Sequence, residues 1–207
     1  MAREKPQQLR QLIAQKAAKM MAEEGISDFA YAKKKAGRQV GEIDNNALPS
    51  NGEVEQALKL YNALFLSDEQ PVRLLNMRKS ALFTMQLLER FDPYLTGAVL
   101  DGSAGLGAET DIHLFADSLK DVEMFLLNKD IPFETDDKPN RVTNDTRRDK
   151  KVASRKKTPV FTLETDSGVI KLSVFSVDEI RVATKRAADG SAAQRAGIEH
   201  VKLLLNQ

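Results

Sequence analysis

The sequence predicts an α+β protein in which a helical N-terminal region, residues 1–90, precedes an α+β domain with a small mixed sheet, residues 91–207. Three patterns predict this fold class. Apolar residues recur at helical spacing through the first ninety positions, whereas Ile112 and Leu114 alternate with other residues at the strand period of two. Farther along, Ser167-Gly168 separates two β-rich runs, which is typical of a hairpin.

Four helices are predicted in the N-terminal region. The first carries apolar residues at helical spacing and stops at Gly25, a residue that suits a helix C-terminus. Asp28 is a natural N-cap for the second helix, which we expect to reach Gly37. Turn-forming residues fill positions 41–52 and predict a loop. Two further helices follow, over Glu53–Phe65 and over about Gln70–Arg90.

From Phe91 onward the pattern changes to that of a mixed sheet. The apolar run Leu95–Leu100 predicts a strand that ends at Asp101-Gly102, and the alternation of Asp111–Ala116 predicts a second strand. Ser118 can cap a helix that ends at Asn128. Further strands are predicted over Ile131–Glu134, Thr158–Asp166 and Val169–Ser176, and a last helix over Ser191–Leu205.

Composition excludes several classes of protein. The formal net charge is +1, so the overall charge indicates no particular partner. The chain contains no cysteine, which excludes disulfide bonds, thiolate catalysis and cysteine zinc sites. No apolar stretch reaches the roughly 20 residues that a membrane span needs, and the first ten residues do not resemble a secretory signal. We therefore expect a cytoplasmic protein with no membrane partner.

A glycine-serine turn and an acidic strand follow each other in the middle of the chain. Gly102-Ser103 ends one apolar run, Asp111 opens the next, and His113 comes two residues later. Such a turn exposes backbone N–H groups that can hold phosphate oxygens, and a carboxylate can hold a hard cation. The two features together predict a site for the phosphates of a nucleotide.

The order of strand, Gly102-Ser103 turn, short gap, strand with Asp111-Ile112-His113, and helix resembles the nucleotidyltransferase superfamily of the DNA polymerase β type. The resemblance covers about residues 87–175. It implies that the turn, with Ser103 as hydroxyl donor and Gly105 in the gap, holds the phosphates of a nucleoside triphosphate. It also implies that paired acids hold two Mg²⁺ ions, which activate the attacking oxygen and stabilise the leaving pyrophosphate.

The acids that this resemblance calls for are incomplete. Asp111 matches the first acid, but His113 stands in place of the second, and neutral imidazole prefers softer metals to Mg²⁺. The third acid comes from a later strand, where Lys171 and Ser173 carry no carboxylate and Glu164 is the best substitute. The catalytic candidates are thus Asp111, His113 and Glu164, and the first two are the candidate metal ligands.

Because the site is one or two carboxylates short, the sequence favours a domain that binds nucleotide or nucleic-acid phosphate without transferring it. His113 keeps three interpretations: a general base, a ligand to another metal, or a strand residue paired with its neighbours. Transfer by two metal ions is the less favoured alternative because it needs the missing acids.

Basic residues are concentrated between Lys138 and Pro159, where lysines and arginines far outnumber Asp145 and Asp149. This run is either a solvated connector or a clamp for nucleic acid or phosphate, with Lys150, Lys151 and Arg155 among the phosphate contacts. It contains no aromatic residue, so recognition of single strands by base stacking is not indicated.

Two other classes of function stay open. The segment from Ala98 to Glu109 also resembles motif I of S-adenosylmethionine-dependent methyltransferases, which requires a helix from Ala108 and a larger parallel sheet. A non-enzymatic nucleic-acid-binding module is the third class, because two short helices surround Gly25 and resemble a helix-turn-helix. The second of them carries the basic residues Lys33, Lys34, Lys35 and Arg38. No G-x-x-x-x-G-K-[ST] element occurs, which excludes the standard phosphate-binding loop.

Overall fold

The computed structural model describes residues 4–26, 28–41, 48–66, 69–139, 157–181 and 194–206. In this part of the chain seven α-helices accompany a six-stranded mixed sheet, so the protein is α+β with a helical N-terminal region, as the sequence predicts. The chain divides into two compact units. The first contains Met1–Leu75 and Asp101–Ala108, and the second contains Asn76–Leu100 and Glu109–Gln207.

Three helices form the core of the first unit: α1 (Glu4–Glu23), α2 (Phe29–Val40) and α3 (Asn51–Phe65). Helix α1 contacts both of the others. Ala17, Ala32 and Ala36 are fully buried in this core. Their small side chains let the helix backbones approach each other closely. Ile13 and Val54, also fully buried, supply larger apolar surface to this core.

Capping residues determine where these helices begin and end. The Asp28 side chain accepts hydrogen bonds from the backbone N–H groups of Ala30 and Tyr31, which confirms it as the N-cap of α2. The predicted end at Gly37 is wrong, because α2 continues to Val40 and stops at Gly41, whose φ is 84°. Helix α3 begins at Asn51 rather than Glu53, since Ser50 is its N-cap.

The fourth helix, α4 (Glu69–Leu87), begins in the first unit, and from Asn76 onward it belongs to the second. It ends before the predicted Arg90, because the chain tightens into a 3₁₀ turn over Glu89–Phe91. Asp92 then adopts a left-handed conformation with φ of 44°, which continued helix does not permit.

The sheet of the second unit contains six short strands. They are β1 (Tyr94–Thr96), β2 (Thr110–Phe115), β3 (Glu134–Pro139), β4 (Lys157–Thr165), β5 (Gly168–Phe175) and β6 (Arg195–Ala196). Their order across the sheet is β3-β4-β5-β2-β1-β6. Strands β2 and β5 are parallel, and every other neighbouring pair is antiparallel, so the sheet is mixed as predicted.

The two faces of the sheet differ in character. One face carries Ile112, Leu114, Ile170 and Leu172, which are all almost fully buried. The alternate residues of the same strands lie on the opposite face, which we call the polar face. On β1, β2, β5 and β6 its members are Tyr94, Thr96, Asp111, His113, Phe115, Lys171, Ser173, Phe175 and Arg195.

Two predicted strands have different bounds in the structure. The expected strand Leu95–Leu100 ends at Thr96, because Gly97 turns the chain with φ of 72° and α5 (Ala98–Asp101) follows. The expected strand Ile131–Glu134 begins only at Glu134. The hairpin between β4 and β5 is confirmed, with Thr165 paired to Gly168.

Of the two helices predicted after Phe91, one is confirmed and the other begins later than predicted. Helix α6 (Leu119–Asn128) is confirmed, and the Ser118 side chain accepts a hydrogen bond from Lys120 N at its start. The predicted helix Ser191–Leu205 is wrong at its beginning, because Arg195–Ala196 forms β6 beside β1. Helix α7 (Ile198–Leu205) starts after Gly197, and positions 191–193 lie outside the described residues.

Candidate functional site

Asp111 lies on the polar face at the start of β2, in the second unit. Its direct neighbours across the sheet are Thr96 on β1 and Lys171 on β5. A Cβ built on Gly97 would stand 3.3 Å from the Asp111 Oδ2 atom, so the chain turns closely past this carboxylate. The Thr96 hydroxyl donates a hydrogen bond to the carbonyl oxygen of Gln194, at 2.8 Å. The carboxylate therefore lies beside the turn that ends β1.

Lys171 forms an ion pair beside Asp111 that sequence reasoning did not assign. Its Nζ atom lies 2.5 Å from Glu109 Oε1 and donates to both carboxylate oxygens. The two side chains are only 22% and 34% exposed, so water screens the pair less than it screens a surface pair. One ammonium and two carboxylates, those of Glu109 and Asp111, thus lie at the beginning of β2 and beside it on β5.

His113 shares the polar face with Asp111, two residues farther along β2. Its neighbours across the sheet are Tyr94 and Ser173. The imidazole ring lies 4.7 Å from the ring of Phe175, measured between centroids, at an interplanar angle of 57°. This contact agrees with the interpretation of His113 as a strand residue packed against its neighbours.

Arg195 and three aromatic rings form a cluster around the far end of β2. The guanidinium carbon of Arg195 lies 5.1 Å from the Phe115 ring centroid and 5.9 Å from that of Phe175. The Tyr94 ring meets Phe115 edge-on at 5.8 Å. Burial lowers the pKa of Arg195, and its Nη1 atom donates to the carbonyl oxygen of Ile180. The cluster therefore ties β6 to β2 and β5.

Glu164, the substitute for a third acid, is exposed on β4 and paired with Val169 of β5. It shares the polar face with Asp111, but β5 with Lys171 lies between their strands. Because neighbouring strands lie about 4.8 Å apart and each residue rises about 3.3 Å, the Cα atoms of Asp111 and Glu164 are about 12 Å apart. The structure thus brings Lys171, not Glu164, next to Asp111.

These residues do not fit a centre of two Mg²⁺ ions. Such a centre needs several oxygen ligands that converge on the metal, whereas the positions that flank Asp111 hold a threonine and an ammonium. Within the described ranges, no group of three or more His, Asp or Glu side chains is placed to hold a metal ion.

Gly102 and Ser103 belong to the first unit, where the turn is closed by contacts within the chain. Gly102 has φ of 85°, and the Ser103 backbone N–H donates to Asp101 Oδ1 at 2.8 Å. The Gln70 Nε2 atom donates to the carbonyl oxygens of Gly102 and Ala104, at 3.1 and 3.2 Å. Ser103 is only 2% exposed. Its N–H group is therefore already paired with a carboxylate of the same chain.

Gly105 packs against the end of α1. A Cβ built on it would stand 3.1 Å from the carbonyl oxygen of Met21 and 3.4 Å from Ala22 Cα. Gly107 faces Gly25 in the same way, with its built Cβ 3.5 Å from the Gly25 Cα atom. Close packing of two backbones accounts for these glycines within the first unit.

The predicted basic contacts are only partly described. Lys150, Lys151 and Arg155 lie outside the described residues. On α2, Lys33 donates to Asn51 Oδ1 at 2.7 Å, and Lys35 pairs with Glu24 at 2.5 Å. Burial lowers the pKa of Lys33, and the hydrogen bond to Glu24 raises the pKa of Lys35. Lys33 and Lys35, two of the four basic residues named on α2, therefore make contacts within the first unit.

No family model and no curated protein matched the chain. Across the ranges that the structure describes, no helix combines the length and the apolar character needed to cross a membrane.

Proposed function

We propose that the second unit is a nucleotidyltransferase-like domain that binds the phosphate groups of a nucleoside triphosphate at the Asp111 end of its sheet, without transferring them. The observation that supports the proposal is the arrangement of β1, β2 and β5. Asp111 stands on the polar face, paired with the last residue of antiparallel β1 and with Lys171 of parallel β5, and α6 follows β2. The strand that carries Asp111 and the helix that follows it are two of the elements on which the resemblance rests.

The side chains near Asp111 supply the chemistry of phosphate binding rather than of transfer. The Lys171 ammonium can donate to a phosphate oxygen, and charge-assisted hydrogen bonds of this kind are among the stronger ones in proteins. Transfer by two metal ions would need further carboxylates at the flanking positions, which Thr96 and Lys171 occupy. Binding without turnover is therefore the function that these residues support best.

Titration calorimetry tests the proposal with ATP, GTP, CTP and UTP, each in the presence and in the absence of Mg²⁺. We expect at least one triphosphate to bind the full chain. Asp111→Ala should weaken binding of the magnesium complex by about tenfold or more, because a carboxylate can hold the Mg²⁺ ion that accompanies a triphosphate. No pyrophosphate release is expected on incubation with the ligand.

Asp121→Ala is the matched control, since it removes the same group from the exposed surface of α6. It should bind as the unmodified chain does. Equal binding by the unmodified chain and by Asp111→Ala, or an absence of binding by both, would contradict the proposal.

Nucleic acid is the second candidate ligand, because of the basic run between Lys138 and Pro159. The affinity of the chain for a DNA duplex should fall steeply as the salt concentration rises, with a slope set by the number of phosphates contacted. The methyltransferase alternative is less favoured, because it needs a helix from Ala108 and the chain forms β2 from Thr110 instead.

A further inference from the structure

We infer that the groove between α1 and α3 in the first unit binds an amphipathic α-helix of a partner protein, one that carries carboxylates beside its apolar face. The groove has a volume of about 720 Å³. Asp111 and Lys171 belong to the other unit, so this inference stands independently of the proposed function.

The two helices that form the groove run side by side in the same direction. Arg10 of α1 pairs with Glu53 in the first turn of α3, at 2.9 Å. Farther along both helices, the Tyr61 hydroxyl of α3 donates to the carboxylate of Glu23, the last residue of α1. The space between two helices that run alongside each other is a trough, and a third helix can lie in such a trough.

The length of the groove fits a short helix. Its lining residues lie between positions 7 and 19 of α1 and between positions 53 and 65 of α3. At about 1.5 Å per residue, each of these spans is about 18 Å long, which is the length of a helix of about 12 residues. An elongated ligand therefore matches the groove better than a compact one does.

Large apolar side chains along the groove are exposed to solvent. Leu60, Leu64 and Phe65 of α3 are each more than half exposed, and Leu12 of α1 is 48% exposed. The rings of Tyr61 and Phe65 contact each other, with their centroids 4.7 Å apart. Contiguous exposed apolar side chains of this kind mark interaction sites, whereas single ones are ordinary surface. The apolar face of a helix can cover them.

The charges beside these apolar side chains favour an acidic partner. Glu53 already accepts a hydrogen bond from Arg10. Lys19 has only a long contact with Glu23, with 3.8 Å between its Nζ atom and Oε2. No carboxylate among the described residues pairs with Lys16, which also lines the groove. Three cations and two carboxylates leave a net charge of +1, so a carboxylate of the partner is attracted to Lys16.

The same charge disfavours a second copy of this chain as the occupant. A symmetric dimer places the same surface of both copies face to face, so two grooves of like charge would meet. The phosphate backbone of a nucleic acid supplies no apolar surface to cover Leu60 and Leu64. A helix with apolar residues on one face and carboxylates beside them satisfies both features of the groove.

Fluorescence anisotropy tests the inference with two labelled helical peptides of about 12 residues each. Both peptides carry leucines on one face at helical spacing. They differ only in the residues that flank the leucines, which are glutamates in the acidic peptide and lysines in the basic peptide. We expect the full chain to bind the acidic peptide more tightly than the basic one by about threefold or more, since exposed ion pairs contribute modestly.

Variants of the apolar side chains test where the peptide binds. Leu60→Gln should weaken binding of the acidic peptide by about tenfold, because it removes an apolar contact in the middle of the groove. Leu203→Gln is the matched control, since Leu203 is a leucine of similar exposure on α7, and it should bind normally. Leu64→Gln tests the same surface if Leu60→Gln disturbs folding, which circular dichroism melting would reveal.

A charge reversal tests the role of Lys16. Lys16→Glu should weaken binding of the acidic peptide and strengthen binding of the basic peptide, each by about threefold. Lys120→Glu makes the same exchange at an exposed position on α6 and should change neither affinity.

The remaining outcomes would overturn the inference. They are an absence of binding by both peptides, equal affinity for the two, and binding that Leu60→Gln and Leu64→Gln leave unchanged. Sedimentation of the unmodified chain tests the other occupant, because a dimer that Leu60→Gln dissociates would show that the groove binds a second copy. ATP binding is measured separately, so none of these results decides the proposed function.

Discussion

Gly105 lies against the carbonyl oxygen of Met21, so closely that a Cβ built on the glycine would stand 3.1 Å from that oxygen. The next nearest atom is the Ala22 Cα, at 3.4 Å. Both neighbours are backbone atoms near the end of α1, and they cannot yield as the tip of a flexible side chain can. Packing within the first unit therefore requires a glycine at position 105.

Gly105→Ala should destabilise the protein by about 1–3 kcal/mol, because the added methyl group forces the backbone of α1 to shift. Urea unfolding near neutral pH, followed by circular dichroism, measures this as a lower midpoint. An unchanged midpoint would contradict the packing role of Gly105.

Gly52→Ala is the control for that experiment. Gly52 lies in the first turn of α3, and the nearest atom to its built Cβ is Ser50 Oγ at 4.0 Å. The added methyl group meets no obstacle there and reduces the freedom of the unfolded chain. The variant should be as stable as the unmodified protein, or more stable by up to about 1 kcal/mol.

Local signals in the sequence predicted the elements whose determinants are local. Asp28 and Ser118 each accept hydrogen bonds from backbone N–H groups only two or three residues ahead, so their capping roles could be predicted. The alternation of β2 and β5 likewise predicted which residues share a face. Lys171 does lie on the other face of β5 from the buried Ile170 and Leu172.

Elements that depend on distant partners could not be predicted in this way. Strand β6 has only two residues, and Arg195 becomes part of a strand because it pairs with Thr96, far away in the sequence. The proximity of Lys171 to Asp111 likewise depends on the parallel register of β2 and β5. For Gly105, a glycine-rich loop gives the same signal whether its backbone approaches a phosphate or another helix.

The capping box of α3 predicts a pH dependence of stability. The Glu53 carboxylate accepts from the Ser50 backbone N–H at 2.6 Å and from Arg10 Nη2 at 2.9 Å. Burial acts to raise the pKa of Glu53, but these hydrogen bonds outweigh it, and the pKa is lowered. A lowered pKa in the folded state stabilises the protein above the pKa of the unfolded chain, and this contribution disappears as the pH falls through the folded value.

Glu53→Gln should therefore lower the free energy of unfolding near neutral pH, by about 1 kcal/mol at most, since an exposed ion pair contributes little. The difference from the unmodified protein should shrink as the pH falls below about 4.3. Urea midpoints measured across this range test the prediction, with exposed Glu199→Gln as the control for loss of one carboxylate. A difference that grows on acidification would contradict it.

The last prediction concerns Arg195, whose planar guanidinium covers the rings of Phe115 and Phe175 while Nη1 donates to Ile180 O. A lysine keeps the charge but cannot stack a planar group on two rings and hold the same hydrogen bond. Arg195→Lys should therefore cost about 1–2 kcal/mol of stability. Arg181→Lys makes the same exchange at an exposed position and should change the thermal midpoint little. Equal midpoints for the two variants would show that charge alone, and not the planar contact, accounts for the role of Arg195.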